Sequence, residues 1–357
     1  VKVYVYPADH YGCGHYRLIW AAQALQLQGV DVAIMAFGSK SGLQAKVRDE
    51  PNGDQTIVSL RVPDDADVVV VQRPAYPLQP GMIDIMRSNG IAVVVDMDDD
   101  MTCIRPGNVA FDTYRSGSTS GYNWRYASDS CRNATYVTTS TAQLQKVYAK
   151  HGRGSVVDNY VPEAALVREP VDTDGFGWAG TTLSHPTDLQ VMGNMTQKLI
   201  DEGFPFRIVG PDRKVKECLR LRETPHCTGT VDLADWIRTI GQTYSVGLVP
   251  LESSSFNSAK SRLKGIENMA AGVPWVASPR EEYRRLHRES GCGLLAETPK
   301  DWYSQVKRLL TDDVLRKEQA EQGRQYMEKQ TIQANAWRWA EAWTIALKIE
   351  RGSRISR

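Results

Sequence analysis

Asn257-Ser258-Ala259-Lys260-Ser261-Arg262-Leu263-Lys264-Gly265-Ile266-Glu267-Asn268-Met269-Ala270-Ala271-Gly272-Val273-Pro274 is the stretch from which the fold is read most directly. Its spacing predicts a helix over 258–271. Gly272 and Pro274 stop that helix, and the apolar residues 275–277 begin a buried strand. Along the helix, Leu263, Ile266 and Ala270 share a stripe that can pack on a sheet. Lys260, Lys264 and Glu267, four and then three residues apart, share another. That second stripe is odd for a purely structural helix. Two lysines one turn apart repel by about 0.2–0.5 kcal/mol, and with Arg262 they crowd the positive end of the helix dipole. Both costs vanish if a phosphate group sits there. Backbone N–H groups and lysine charge could then hold a diphosphate without a metal, and Glu267 could accept hydrogen bonds from ribose hydroxyls. Taken alone, the stripe reads equally as a solvated basic turn with a Lys264–Glu267 surface pair.

On both sides of this segment short apolar runs alternate with helix-length amphipathic stretches. Residues 1–6, 30–36, 68–71, 91–95, 134–138 and 155–157 read as strands, with helices over 15–28 and 142–150. A polar linker runs from Asn159 to Asp174, after which the alternation restarts with strands at 176–179, 206–209 and 245–249. A helix after His185-Pro186 carries Leu189, Met192 and Leu199 along one face. The last third is helical, and Trp337, Trp339 and Trp343 fall in a closing helix. Such alternation belongs to doubly wound parallel sheets, and 357 residues exceed one comfortable core. The expected architecture is α/β, with Rossmann-like domains over 1–162 and 174–330.

Val246-Gly247-Leu248-Val249-Pro250-Leu251, followed by the 257–274 stretch, resembles the donor-binding segment of GT-B glycosyltransferases, specifically glycosyltransferase family 4 (group 1). Gly177-Trp178-Ala179-Gly180-Thr181-Thr182-Leu183-Ser184-His185-Pro186-Thr187-Asp188-Leu189 resembles the start of that family's C-terminal domain. Phe206-Arg207-Ile208-Val209-Gly210-Pro211 resembles its next strand and glycine turn. In order and spacing the resemblance covers essentially the whole second domain. It implies a GT-B fold, two Rossmann-like domains facing across a cleft, with the closing helix (331–350) packing back on the first. It implies that Lys260 and Lys264 contact a donor diphosphate, that Glu267 holds the ribose, and that Gly180, Thr181 and Gly210 let the backbone approach the donor. The implied reaction is metal-independent transfer of a sugar from a nucleotide-diphosphate sugar to a hydroxyl, with retention at the anomeric carbon. One departure matters. Where the family often carries Glu eight residues before Glu267, this chain has Ala259, so a neighbour such as Asn257 is the expected stand-in and the sugar cannot be named.

The N-terminal half holds two further candidates. Asp9-His10-Tyr11-Gly12-Cys13-Gly14-His15-Tyr16-Arg17 joins the first strand to its helix, where Gly12 and Gly14 permit a phosphate or sugar to approach, or serve the turn sterically. The resemblance implies a loop directed at the donor, making His15 and Arg17 candidates for acceptor or phosphate contact. Asp96-Met97-Asp98-Asp99-Asp100 follows a strand at its carboxyl end, the edge that faces ligands in open α/β sheets. An Asp-x-Asp metal site of the GT-A kind is set aside, because the lysines already neutralise phosphate. The resemblance places this loop on the acceptor side, where Asp98 or Asp99 could deprotonate a hydroxyl and Asp100 could orient one. A solvated acidic loop is the alternative. Tyr122-Asn123-Trp124-Arg125-Tyr126 offers acceptor surface through Trp124 and Arg125, or simple packing. His185 and Asp188 read as residues capping a helix start.

Bulk composition narrows the classes. Forty-three basic against 42 acidic residues leave a net charge of +1, with no general drive toward nucleic acid or anionic membranes. Six scattered cysteines without a Cys-x-x-Cys pair fit cytosolic thiols. No apolar run is long enough for a membrane span. No cofactor is expected, since the nucleotide sugar, UDP- or GDP-linked, is the substrate. Acceptor glycan, lipid-linked sugar, protein and modified DNA base all stay open, and short members of the family also occur in bacteriophages. Two rival readings stand beside it: a nucleotide-sugar epimerase of the same fold, and, in a different class, a nucleotide-sugar-binding protein without turnover.

Overall fold

The structure, a computed structural model, describes residues 1–36, 42–118, 123–169, 171–211 and 214–355. The chain divides into two compact units. The first comprises Val1–Arg105, Ala110–Asn159 and Ile332–Arg357, and the second Pro106–Val109 and Tyr160–Thr331.

In the first unit the strands are β1 (Val3–Tyr6), β2 (Val32–Ile34), β3 (Gln44–Asp49), β4 (Gln55–Arg61), β5 (Val68–Gln72), β6 (Ala92–Met97), β7 (Tyr136–Thr139) and β8 (Gly154–Val156). Six of them form a parallel sheet in the order β2-β1-β5-β6-β7-β8. β5 and β6 are buried along their whole length, which is why they are written as unbroken valine runs rather than as alternating patterns. The helix Trp337–Ile355 packs on β6 and β7, with Trp339 and Trp343 buried and Trp337 exposed. β3 and β4 form a separate antiparallel hairpin. The order reverses between β1 and β5, so the carboxyl ends of these two strands flank the natural ligand crevice of this sheet.

The second unit repeats the plan with β9 (Phe176–Ala179), β10 (Phe206–Val209), β11 (His226–Cys227), β12 (Val246–Val249), β13 (Trp275–Ala277) and β14 (Leu294–Leu295). The order is β11-β10-β9-β12-β13-β14, again parallel throughout, with the reversal between β9 and β12. Phe176, Trp178, Ile208 and Leu248 meet Leu189, Met192, Leu199, Trp302 and Leu309 in its core.

Two local expectations are corrected. The helix expected over 258–271 is two pieces, Ser255–Ser258 and Leu263–Ala270. The first is capped by the Ser254 hydroxyl, which accepts from the Asn257 N–H at 3.2 Å. Between the two pieces Arg262, with φ −79° and ψ 15°, leaves the helical backbone geometry, and its side chain is buried in an ion pair with Glu289. The helix after His185 is likewise split, into a 3₁₀ segment Asp188–Met192 and a helix Met195–Asp201, at Gly193 with φ 60°. From Tyr160 on, the polar linker belongs to the second unit: Tyr160 and Val161 are buried, and the Val167 N–H donates to the Ala270 carbonyl.

Candidate functional site

At the carboxyl edge of the second sheet the chain turns away from β9 through Gly180 and from β10 through Gly210. A Cβ on Gly210 would lie 2.3 Å from the Gly180 carbonyl oxygen, so only glycine fits between these two loops. Gly180 has φ +156°, and a Cβ there would meet the Trp178 ring at 2.8 Å and the Lys264 Nζ at 3.3 Å. Beside them opens a pocket of about 370 Å³, lined among others by Gly180, Thr181, His185, Gly210, Trp236 and Lys264. Lys264, in the first turn of its helix, donates from Nζ to the Ala179 carbonyl at 2.6 Å. Burial pulls its ammonium below the ordinary 10.5, against the opposing pull of Glu267, and Lys260 depresses it further. A desolvated cation on a pocket wall is poised for an anion. Lys260 lies in the connection between the two helices, its Nζ 4.4 Å from the centre of the Phe256 ring.

Other expected donor contacts are placed differently. Glu267 is 4% exposed and is not part of the pocket lining; it acts electrostatically on Lys264, Tyr244 and Tyr283. Arg262, thought to crowd the helix start, is buried against Glu289. Ala259, which stands at the position of the family's glutamate, is buried. Asn257 is committed inward, donating to Asp188 Oδ1 at 2.6 Å and to the Glu252 carbonyl at 3.2 Å.

The helix-capping expectation for His185 and Asp188 is corrected. The side-chain bonds of Asp188 run to His185, Glu252 and Asn257 rather than to the first N–H groups of its own segment. Its Oδ2 lies 2.7 Å from His185 Nδ1, and its Oδ1 also accepts from the Glu252 N–H at 2.9 Å. Burial acts to raise the Asp188 pKa, but these donors outweigh it and hold the carboxyl below its ordinary 3.8. Burial lowers the His185 pKa from 6.5; the bond to Asp188 opposes this, while Lys260 and Lys264 reinforce it. The i, i+3 spacing of His and Asp after β9 was the available signal.

In the first unit the acidic stretch after β6 is not a solvated loop. Arg73, which follows β5 with φ 49°, hydrogen-bonds Asp98 through Nε and lies 3.2 Å from Asp99 through Nη2. One guanidinium thus offsets the repulsion between adjacent carboxylates. Burial raises the Asp98 pKa, Arg73 opposes it, and Asp99 adds to the rise. Arg73 also lies 3.4 Å from the Cys13 sulfur, whose thiol burial pushes up to about 12, so it is no nucleophile at neutral pH. Sequence reading missed Arg73, whose only signal is its place at the carboxyl end of a buried strand. Asp100 is turned to Thr102, accepting from its N–H at 3.0 Å and its hydroxyl at 2.6 Å.

Arg17 is corrected as an acceptor contact. It is 0% exposed and forms a bidentate pair with Asp96 at 3.0 and 2.8 Å, plus bonds to the Val157 carbonyl and Asn159. The turn around it, His15–Ile19, is a π-helix, and the Arg17 carbonyl accepts from Trp339 Nε1 at 2.6 Å. Gly14 is buried, and a Cβ there would sit 1.8 Å from the Asp9 carbonyl oxygen, so its glycine answers to chain packing. Gly12 has open space around it. His15 is half-buried, with Nδ1 2.8 Å from the Tyr11 carbonyl. Trp124 donates to Ser118 at 3.0 Å, and exposed Arg125 stacks over the Trp124 ring at 5.2 Å; Tyr122 lies outside the described residues.

Among the described residues no group of three or more His, Cys, Asp or Glu side chains is disposed to hold a metal ion, and no helix is long and apolar enough to cross a membrane. All six cysteines are free thiols.

Residues 175–312 match the family model described as glycosyl transferases group 1. No curated protein matches the chain. Among solved structures, WaaG, a glycosyltransferase involved in lipopolysaccharide biosynthesis, superposes with a TM-score of 0.59 at 13% identity, covering 96% of this chain and 100% of its own. Sucrose-phosphate synthase from Thermosynechococcus elongatus does so with a TM-score of 0.63 at 13% identity, covering 96% and 98%. At that identity the likeness is one of fold, and the fold is GT-B. The second unit of this chain therefore carries a glycosyltransferase group 1 domain.

Proposed function

We propose that this enzyme transfers a sugar from a nucleotide-diphosphate donor to a hydroxyl acceptor, without a metal and with retention at the anomeric carbon. The observation that carries the reading is Lys264, a desolvated ammonium held by the Ala179 carbonyl on a pocket wall bounded by two obligatory glycines. The leaving diphosphate gains negative charge as the glycosidic bond breaks. A cation fixed in a low-dielectric wall stabilises that charge with little reorganisation. Lys260 adds a second positive charge, and the start of the Leu263–Ala270 helix adds its dipole. Gly180, Thr181 and Gly210 give the donor backbone approach. His15, Asp98 and Asp99 are proposed for the acceptor hydroxyl, and exposed Arg125 with Trp124 for acceptor surface. The six free thiols support a reducing compartment.

Incubating the protein with UDP- and GDP-sugars and measuring nucleoside diphosphate release tests this reading. Release should be seen with one donor class and should fall at least about tenfold in Lys264→Met. Equal release by the wild type and that variant would remove the basis of the assignment.

A further inference from the structure

His185 lines the second unit's pocket, with Asp188 bonded to it, and neither has a role in the chemistry described so far. His185 is a pocket-lining residue whose side chain is 15% exposed. Its Nδ1 is committed to Asp188 at 2.7 Å, and Asp188 is itself buried and fixed by the Glu252 N–H and the Asn257 amide. That leaves Nε2 as the nitrogen with which this ring can meet a ligand. The charged neighbours come from every side: Asp188 on the 3₁₀ segment, Lys260 in the connection after Ser255–Ser258, and Lys264 on the Leu263–Ala270 helix. Cys218, whose sulfur contacts the Pro186 carbonyl, stays a neutral thiol because burial raises its pKa. The His185 and Trp178 rings lie edge to face, 6.5 Å between ring centres.

Within the protein itself two lysines oppose protonation of the imidazole and one carboxylate favours it. A bound diphosphate reverses the balance: it neutralises the lysines and adds its own negative charge, while Asp188 stays in place to pair with an imidazolium. We propose that His185 is a third anion contact of this pocket, taking a proton from solvent as diphosphate binds and donating a hydrogen bond from Nε2 to a phosphate oxygen. Asp188 is the positioning residue that fixes the ring and supports its charge. This inference rests on reading the pocket as a diphosphate site.

The sign follows from linkage. A group whose pKa is raised by the ligand strengthens binding below the raised value and ceases to do so as pH climbs through it. Binding should therefore weaken with rising pH in the wild type beyond what the ligand's own ionisation causes.

Titration calorimetry with inorganic pyrophosphate, repeated in buffers of different ionisation enthalpy, reads this directly. At about pH 7 the wild type should take up a fraction of a proton more than His185→Gln, the ionisation of pyrophosphate being common to both. His185→Gln should bind about fivefold to tenfold more weakly at about pH 6 and converge with the wild type at about pH 8.5. Asp188→Asn should reduce the proton uptake, which a merely structural role would leave unchanged. If His185→Gln does not fold, His185→Asn and Asp188→Asn carry the same readout. Identical affinity and proton uptake in wild type and His185 variants would overturn the proposal. If Lys264→Met weakens pyrophosphate binding and the His185 variants do not, only the His185 role fails. If Lys264→Met also binds as the wild type does, the diphosphate reading of the pocket fails with it.

Discussion

Replacing Lys264 by Met should separate stability from binding. The methionine keeps most of the apolar stem and removes the ammonium. In the ligand-free protein the loss is one hydrogen bond to the Ala179 carbonyl, worth about 0.5–1.5 kcal/mol net. Against it stands relief of a buried cation whose pKa burial has lowered from 10.5. These nearly cancel, so the melting temperature should move by no more than about 2–4 °C. In the complex the same change deletes a charge-assisted hydrogen bond worth about 1.5–3 kcal/mol. At about 1.4 kcal/mol per decade, pyrophosphate should bind ten- to over a hundredfold more weakly. The pH dependence supplies a second check. Because the folded-state pKa lies below 10.5, the unfolded chain holds more protons as pH approaches that value, so wild-type stability gains an increment there. The variant should lack it. Melting curves across pH, with calorimetric titration of pyrophosphate, measure both effects. A variant that melts well below the wild type yet binds pyrophosphate equally would refute this reasoning, because Lys264 would then be a structural residue.

Two further substitutions probe the first unit. Arg17→Met leaves Asp96 buried without its bidentate partner, and urea denaturation should register a loss of about 3–5 kcal/mol; a loss under about 1 kcal/mol would show that the pair is not integral to the fold. Arg73→Ala removes the cation that restrains the already raised pKa of Asp98. The folded protein should then hold a proton that the unfolded chain has released, so its stability should fall as pH rises from about 4 through the raised value. A pH profile of melting parallel to that of the wild type would contradict the role given to Arg73.

What could be read from sequence divides along a physical line. The two parallel sheets were legible because strands buried on both faces must be apolar throughout, as Val68–Val71 and Val93–Val95 are. Gly180 and Gly210 were legible as loop glycines because each ends a buried strand. The hairpin Gln44–Arg61 was not, since its strands are mostly exposed and carry no buried stripe. The break between Ser258 and Leu263 was hidden because nothing local forbids a helix there; Arg262, at the break, has its partner, Glu289, 27 residues along the chain. Arg17 failed as a surface candidate for the same reason: Asp96 and Asn159 lie 79 and 142 residues away. Arg73 has no motif at all. It is found only by asking which cation offsets Asp98 and Asp99 once the sheet brings the carboxyl ends of β5 and β6 together. His185 and Asp188 were visible as a pair, but helix starts favour such residues for capping, and that local rule masked the bond by which Asp188 holds a pocket-lining ring.

The most direct test of a nucleotide-sugar site is a thermal-shift panel of UDP-, GDP-, ADP- and dTDP-sugars on the wild type and on a Lys260→Ala, Lys264→Ala double variant. At about one hundred times its dissociation constant, one donor should stabilise the wild type by about 2.7 kcal/mol, a rise of roughly 5–10 °C. The double variant should show little or none of that rise. A donor that stabilises both proteins equally would mean that the diphosphate is held somewhere else.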